Sequence, residues 1–167
     1  MKAPAISDAE MEFHRKAASD CFNHAWEYLE KKDRSGGDEE EMLHLAHASR
    51  FHWGLVGNAR NRAVGDWQIS RVYAALNQPG LSLQFAKSSL EICRKNDLQE
   101  VMGSAFEAIA RAYAVAGDYS PARNYIEKAR EQVSKLSLDD EDRETYMGQI
   151  RETEALMVPE KHVSRKK

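Results

Sequence analysis

The sequence predicts an all-α chain built as a stack of helical hairpins, and three observations predict it. Apolar residues recur at three- and four-residue steps through one segment after another, without strand-like alternation. Sliding the chain by about forty residues lays Arg111, Tyr113 and Ala114 over Arg71, Tyr73 and Ala74, and Leu83, Ala86 and Ser89 over Leu43, Ala46 and Ser49, a self-similarity that marks stacked repeats. Glycine and proline are scarce, at 9 and 4 of 167 residues, so few positions interrupt a helix.

Each element has its own signals. Ser7 or Asp8 can cap a first helix, with Glu10 in its first turn, and Phe13, Ala17, Cys21, Phe22, Ala25, Trp26 and Leu29 form its apolar stripe. Lys31, Lys32 and Arg34 suit its C-terminus before Ser35-Gly36-Gly37 breaks the chain. The acids Asp38 to Glu41 open a second helix as a solvated first turn, and the helix stops at Gly54 or Gly57. Asn58 caps a third, carrying Val64, Trp67, Ile69, Val72, Tyr73 and Leu76, and Asn77-Gln78-Pro79-Gly80 ends it. A fourth helix follows from about Leu81 to Lys95, a fifth from Leu98 to Ala116 and a sixth from Ser120 to about Leu136. Acids from Asp139 to Asp142 start a seventh, with Tyr146 and Ile150 on its apolar side, which reads as the polar-faced cap that a stack requires. Residues 1–158 therefore form a single domain, and the basic segment 159–167, with nothing to bury, reads as a flexible tail.

Composition bounds the function. With 24 Lys+Arg against 27 Asp+Glu the net charge is −3, so no global field recruits nucleic acid or an anionic membrane. Cys21 and Cys93 lack a CxxC or Cys/His spacing and read as small buried thiols. No signal-like or membrane-spanning apolar run is present, and a cytoplasmic location is expected. Phosphate-cradling glycine loops, nucleophile elbows and paired acids are also missing, so the chain is not expected to be an enzyme and no cofactor is predicted.

The most regular unit holds Phe106, Ile109, Ala110, Tyr113, Gly117-Asp118-Tyr119, Ala122, Ile126 and Ala129. It resembles the tetratricopeptide repeat, a helix-turn-helix with large, small, Tyr, Gly-Asp and Ala-x-x-x-large-x-x-Ala positions in this order. The preceding unit keeps Ile69, Ser70, Tyr73, Ala86 and Ser89 but has Asn77-Gln78 in the turn, and the first keeps Tyr28, Ala46 and Ser49. With no proline after the second helix and a period near forty, the chain is similar to the long-period bacterial repeats of this kind, over roughly residues 15–137. The resemblance implies a right-handed α-solenoid of about three hairpins plus a C-terminal capping helix.

It also implies ligand-facing positions on the first helix of each hairpin: Trp67, Arg71 and Ala75 in the second unit, Glu107, Arg111 and Val115 in the third, and Phe22 and Trp26 in the first. A concave face with two guanidinium groups and aromatic side chains suits a protein or peptide segment with an acidic group or free C-terminus flanked by an apolar residue. Simpler readings compete. Arg71 and Glu107 neutralise each other, or Trp67 and Trp26 belong to the core. The hairpin stack self-associates as a homodimer, or His44 and His47, which share a helix face, take a third ligand and hold a metal.

Overall fold

A computed structural model describes residues 6–157 as seven α-helices, with no strand among them. The helices are α1 (Asp8–Glu30), α2 (Gly36–Val56), α3 (Ala59–Ala75), α4 (Pro79–Lys95), α5 (Gln99–Val115), α6 (Tyr119–Ser134) and α7 (Asp140–Ala155). The basic segment read as a tail, 159–167, lies outside the described residues. No helix of the described residues is long and apolar enough to cross a membrane.

Helix starts follow capping chemistry. Ser7 caps α1 and Glu10 reaches back to the Ser7 amide, a reciprocal box that satisfies two orphan donors. Ser35 and Asp38 repeat the device at α2. Asp38 is thus the third residue of that helix, and α2 begins at Gly36, two residues before the start that the acid run suggests. Lys31 at the end of α1, 2.7 Å away, and Ser35 hold the Asp38 carboxyl down at about 2, tying the two helices across their turn. Pro79 and Gly80, expected to end the third helix, instead form the first turn of α4. A proline at the first helical position lacks only an N–H that has no intrahelical partner there.

Three turns are built alike. Asn77, Asp97 and Gly117 all take left-handed backbone, with φ of 55°, 51° and 81°. In each the next amide donates five residues back, Gln78 to Tyr73, Leu98 to Cys93 and Asp118 to Tyr113, at 2.9, 3.0 and 2.9 Å. This is a Schellman closure, which turns the chain sharply while satisfying the last carbonyls of the helix. The spacing of twenty residues between these turns makes α4 and α5 equal in length, at 17 residues each, and α3, which starts from its own cap at Asn58, has the same length.

Packing repeats with twice that spacing. Tyr73 stacks on Phe85 with ring centroids 5.7 Å apart and an interplanar angle of 20°, and Tyr113 stacks on Tyr125 at 6.0 Å and 22°. Ser49, Ser89 and Ala129 are each fully buried where the two helices of a pair meet. The two serines use the closeness to donate to the carbonyls of Ala18 and Ala63, both at 2.8 Å. Consecutive helices pack as pairs, α1 on α2, α3 on α4 and α5 on α6, and the backbones of the odd helices also approach one another along α1, α3, α5 and α7, whereas α2 and α4 meet through side chains, His47 on Phe85. Helices α3 and α5 are therefore buried on nearly every side. Cys93 is buried as expected, while Cys21 on the outlying α1 is only half-buried.

Ile109 lies at the centre of the largest apolar cluster, with Trp67, Leu90, Val101 and Ala105 around it, and is fully buried. Ile109→Ala should cost about 2–5 kcal/mol, read as a lower urea midpoint with an unchanged slope.

Candidate functional site

The odd helices bring four charged side chains together where α3, α5 and α7 meet. Arg71 on α3 donates to Glu152 of α7 at 2.9 Å and reaches Glu107 of α5 at 3.5 Å. Arg111, one turn after Glu107, donates to it at 2.9 Å and to the same Glu152 oxygen at 3.1 Å. Thr153 on α7 donates to the other face of the network, at Glu107 Oε1, and Arg111 also reaches the Gln149 carbonyl at 3.4 Å. Two guanidinium groups thus face two carboxylates, and the cluster is neutral.

The surroundings explain why this charge is tolerated. Glu107 is 1% exposed and Arg71 8%, so neither is solvated by bulk water. The Arg71 guanidinium lies over the rings of Trp26 and Trp67, 5.3 and 5.6 Å from their centroids, and the two indoles are 5.6 Å from each other. Ring faces of this kind attract a weakly hydrated cation, and more strongly where water is excluded. Arg71 Nε finds no hydrogen-bond acceptor among the described residues, which leaves the indole faces as the remaining electron-rich surface near it. Burial lowers the basicity of Arg71 and the Glu107 charge opposes it. For Glu152 burial works to raise the pKa, but the hydrogen bond and charge of Arg71, reinforced by Arg111, outweigh it and hold the carboxyl below its ordinary range.

Around this network the surface is open. A cleft of about 390 Å³ is lined by Trp26, Leu29, Glu30 and Arg34 from α1 and its end, Arg71, Ala74 and Ala75 from α3, Arg111 and Val115 from α5, and Glu152 and Leu156 from the α7 segment. On the other side of Glu152 a second opening of about 330 Å³ is bordered by Trp26, Arg71, Glu144, Gly148 and Gln149. Glu152 crosses between them. Arg34, with its guanidinium on the carbonyls of Tyr28, Leu29 and Lys31, closes the C-terminus of α1 at the rim.

The residues singled out from the sequence divide accordingly. Trp26, Arg71 and Arg111 line the main cleft together with Ala75 and Val115. Glu107 lies beneath it, paired with both arginines as the neutralisation reading has it. Trp67 is buried in the core cluster, with one edge on a smaller cavity of about 200 Å³ beside Tyr146 and Gln149. Phe22 packs on the same core and on Trp26, and borders a separate cavity with Trp53 and Val64. Sequence reasoning missed Glu152 and Thr153, which sit on a helix read only as a cap. Their polar, acid-rich segment carries no local mark that separates these two residues from the solvated ones beside them.

The histidines do not converge as the metal reading requires. His44 is exposed and faces Glu40 at 3.8 Å, while His47 bonds the Tyr73 hydroxyl at 3.1 Å and packs on Phe85. Burial pulls the His47 pKa down and keeps the ring neutral for that bond. Among the described residues no group of three or more His, Cys, Asp or Glu side chains is arranged to hold a metal. Comparison of the chain with protein-family models, with curated proteins and with solved structures found no match.

Two outcomes test the network. Glu107→Leu leaves two buried guanidinium groups with only Glu152 between them and should cost about 3–5 kcal/mol in chemical denaturation. Because the Glu152 pKa is depressed in the folded state, its contribution is complete above its ordinary value of 4.5 and is lost as pH falls through the lowered one. Melting temperatures of Glu152→Gln should therefore lie below those of the native chain near neutral pH, and the two curves should converge in acid.

Proposed function

We propose that the protein is a tetratricopeptide-like binding scaffold, a right-handed α-solenoid of three hairpins and a capping helix, whose inner face takes an acidic segment of a partner protein. The observation that carries this reading is the cleft that joins Trp26, Arg71, Ala75, Arg111 and Val115 on one wall. The matching turns at Asn77, Asp97 and Gly117 and the matching ring pairs forty residues apart, Tyr73–Phe85 and Tyr113–Tyr125, support the repeat assignment. Closer backbone approach among the odd helices than among α2, α4 and α6 supports an inner layer more tightly packed than the outer one, which is the source of curvature in such stacks.

The chemistry of the cleft selects the ligand. Arg71 and Arg111 already hold one carboxylate in common, that of Glu152, at 2.9 and 3.1 Å, so the pair is spaced for an acidic group. Val115, Leu29, Ala74 and Leu156 add apolar surface for a neighbouring side chain. A partner segment with Asp, Glu or a terminal carboxylate next to an apolar residue meets both demands.

Self-association is the second reading, favoured by Phe13, Phe51 and Leu55, all exposed on α1 and α2. Sedimentation at rising concentration separates it, since a monomer throughout excludes it.

Ala75 is exposed at the cleft and takes no part in the ion network, which makes it the position of choice for a test. Peptide display against the full chain should enrich acidic sequences with a flanking apolar residue, and Ala75→Trp should abolish the enrichment while leaving stability within about 0.5 kcal/mol. Enrichment that survives Ala75→Trp would place binding elsewhere.

A further inference from the structure

His14 and His52 lie 38 residues apart in sequence, yet their Nδ1 atoms face each other at 2.7 Å. The antiparallel α1–α2 hairpin brings them there, His14 near the start of α1 and His52 near the end of α2. The rings are 4.9 Å apart between centroids, and both are half-buried, so solvent reaches the pair. Only one proton fits between two imidazole nitrogens at this distance, so at least one ring directs a bare lone pair into the gap. In the structure one Nδ1–H donates to the other Nδ1, and loss of that single proton would leave two nitrogen donors from separate helices facing one gap, a pairing that no other histidines of the described residues make. His44 and His47 are occupied as described above.

The spacing discriminates among ions. Metal–nitrogen bonds of about 2.0 Å meeting at a right angle hold the two nitrogens about 2.8 Å apart, whereas a tetrahedral angle sets them about 3.3 Å apart. The observed 2.7 Å is closer to the separation in a square-based site than to that in a tetrahedral one, and the two rings need to turn from their mutual hydrogen bond toward a common ion. Right-angled nitrogen coordination with open positions for water is the preference of Cu²⁺, which also binds such ligands most tightly among the divalent first-row ions. The edges of Phe13 and Phe51 flank the rings, with centroids 5.4 to 6.2 Å from the imidazoles, and lower the polarity around the gap. The nearest acid on the same helix face, Glu10, is held by the amide and hydroxyl of Ser7 and is not aimed at the pair.

We propose that His14 and His52 form a two-histidine chelating site for Cu²⁺, with both Nδ1 atoms as ligands and water completing the coordination. The site shares no residue with the cleft of the proposed scaffold and stands or falls independently of it.

Titration of the full chain with Cu²⁺ against glycine as competitor, read by electron paramagnetic resonance, tests it. The expected result is one tight ion per chain with hyperfine coupling to two imidazole nitrogens. His14→Leu and His52→Leu, checked for native helicity by circular dichroism, should each weaken binding by about tenfold or more and lose that coupling. A control chain with His24→Ala, His44→Ala and His162→Ala should keep both affinity and spectrum. Unchanged affinity in the two leucine variants, or loss of binding in the control, would overturn the assignment.

Discussion

The structure depends on one constraint, that the charges of Arg71 and Glu107, buried where α3, α5 and α7 meet, must be compensated, the first in part by the exposed Glu152. Arg71 and Arg111 bring two positive charges to the inner wall and Glu107 supplies one negative charge beneath them. The balance is completed only by Glu152, which comes from the last helix. An unbalanced charge in this setting is far more costly than an unmade surface ion pair. The seventh helix is held by the burial of Ile150 and Thr153, by the Thr153 bond to Glu107, and by the partly solvated pairing of Glu152 with both arginines. The side chain that pairs it with both arginines, Glu152, also lines both openings beside the network.

The two tryptophans give the network its local medium. Trp26 and Trp67 cover the Arg71 guanidinium on flat apolar faces, excluding water while offering it a compensating attraction. This links the first hairpin to the third: α1 contributes the indole, α3 the cation, α5 and α7 the anions. A chain of local pairings thereby becomes coupled across the whole stack, beyond the nearest-neighbour contacts that a simple repeat array would have. The same surfaces leave the cleft with an apolar edge beside a neutral ion network, in which a partner carboxylate would have to take the place of Glu152 on the two guanidinium groups.

Much of the fold was legible residue by residue. The three-and-four spacing of apolar side chains located all seven helices, since burial of one helix face is a local periodic requirement. Ser7 and Asn58 announced their helices because a cap acts through residues two or three places away. The forty-residue slide anticipated the alignment of Tyr73 with Tyr113, which the ring stacking repeats in space. The errors are equally local in origin. Pro79-Gly80 looks like punctuation, but proline in a first turn is compatible with helix, and Ser35 outranks the acid run as a start because a hydroxyl can reach the orphan amides and a preceding glycine cannot.

Sequence alone determined the class of structure as all-α, the helix limits to within a few residues, and the forty-residue offset between Arg71 and Arg111, because each of these rests on spacing along the chain. Only the tertiary structure decided that Glu107 is buried between the two arginines, that Glu152 spans both, and that His14 meets His52. Those meetings join side chains from 36 to 81 residues apart, or pair α1 with α2 near one end of their hairpin. They depend on how helices are rotated and offset against one another, and no periodicity along a single helix encodes that rotation.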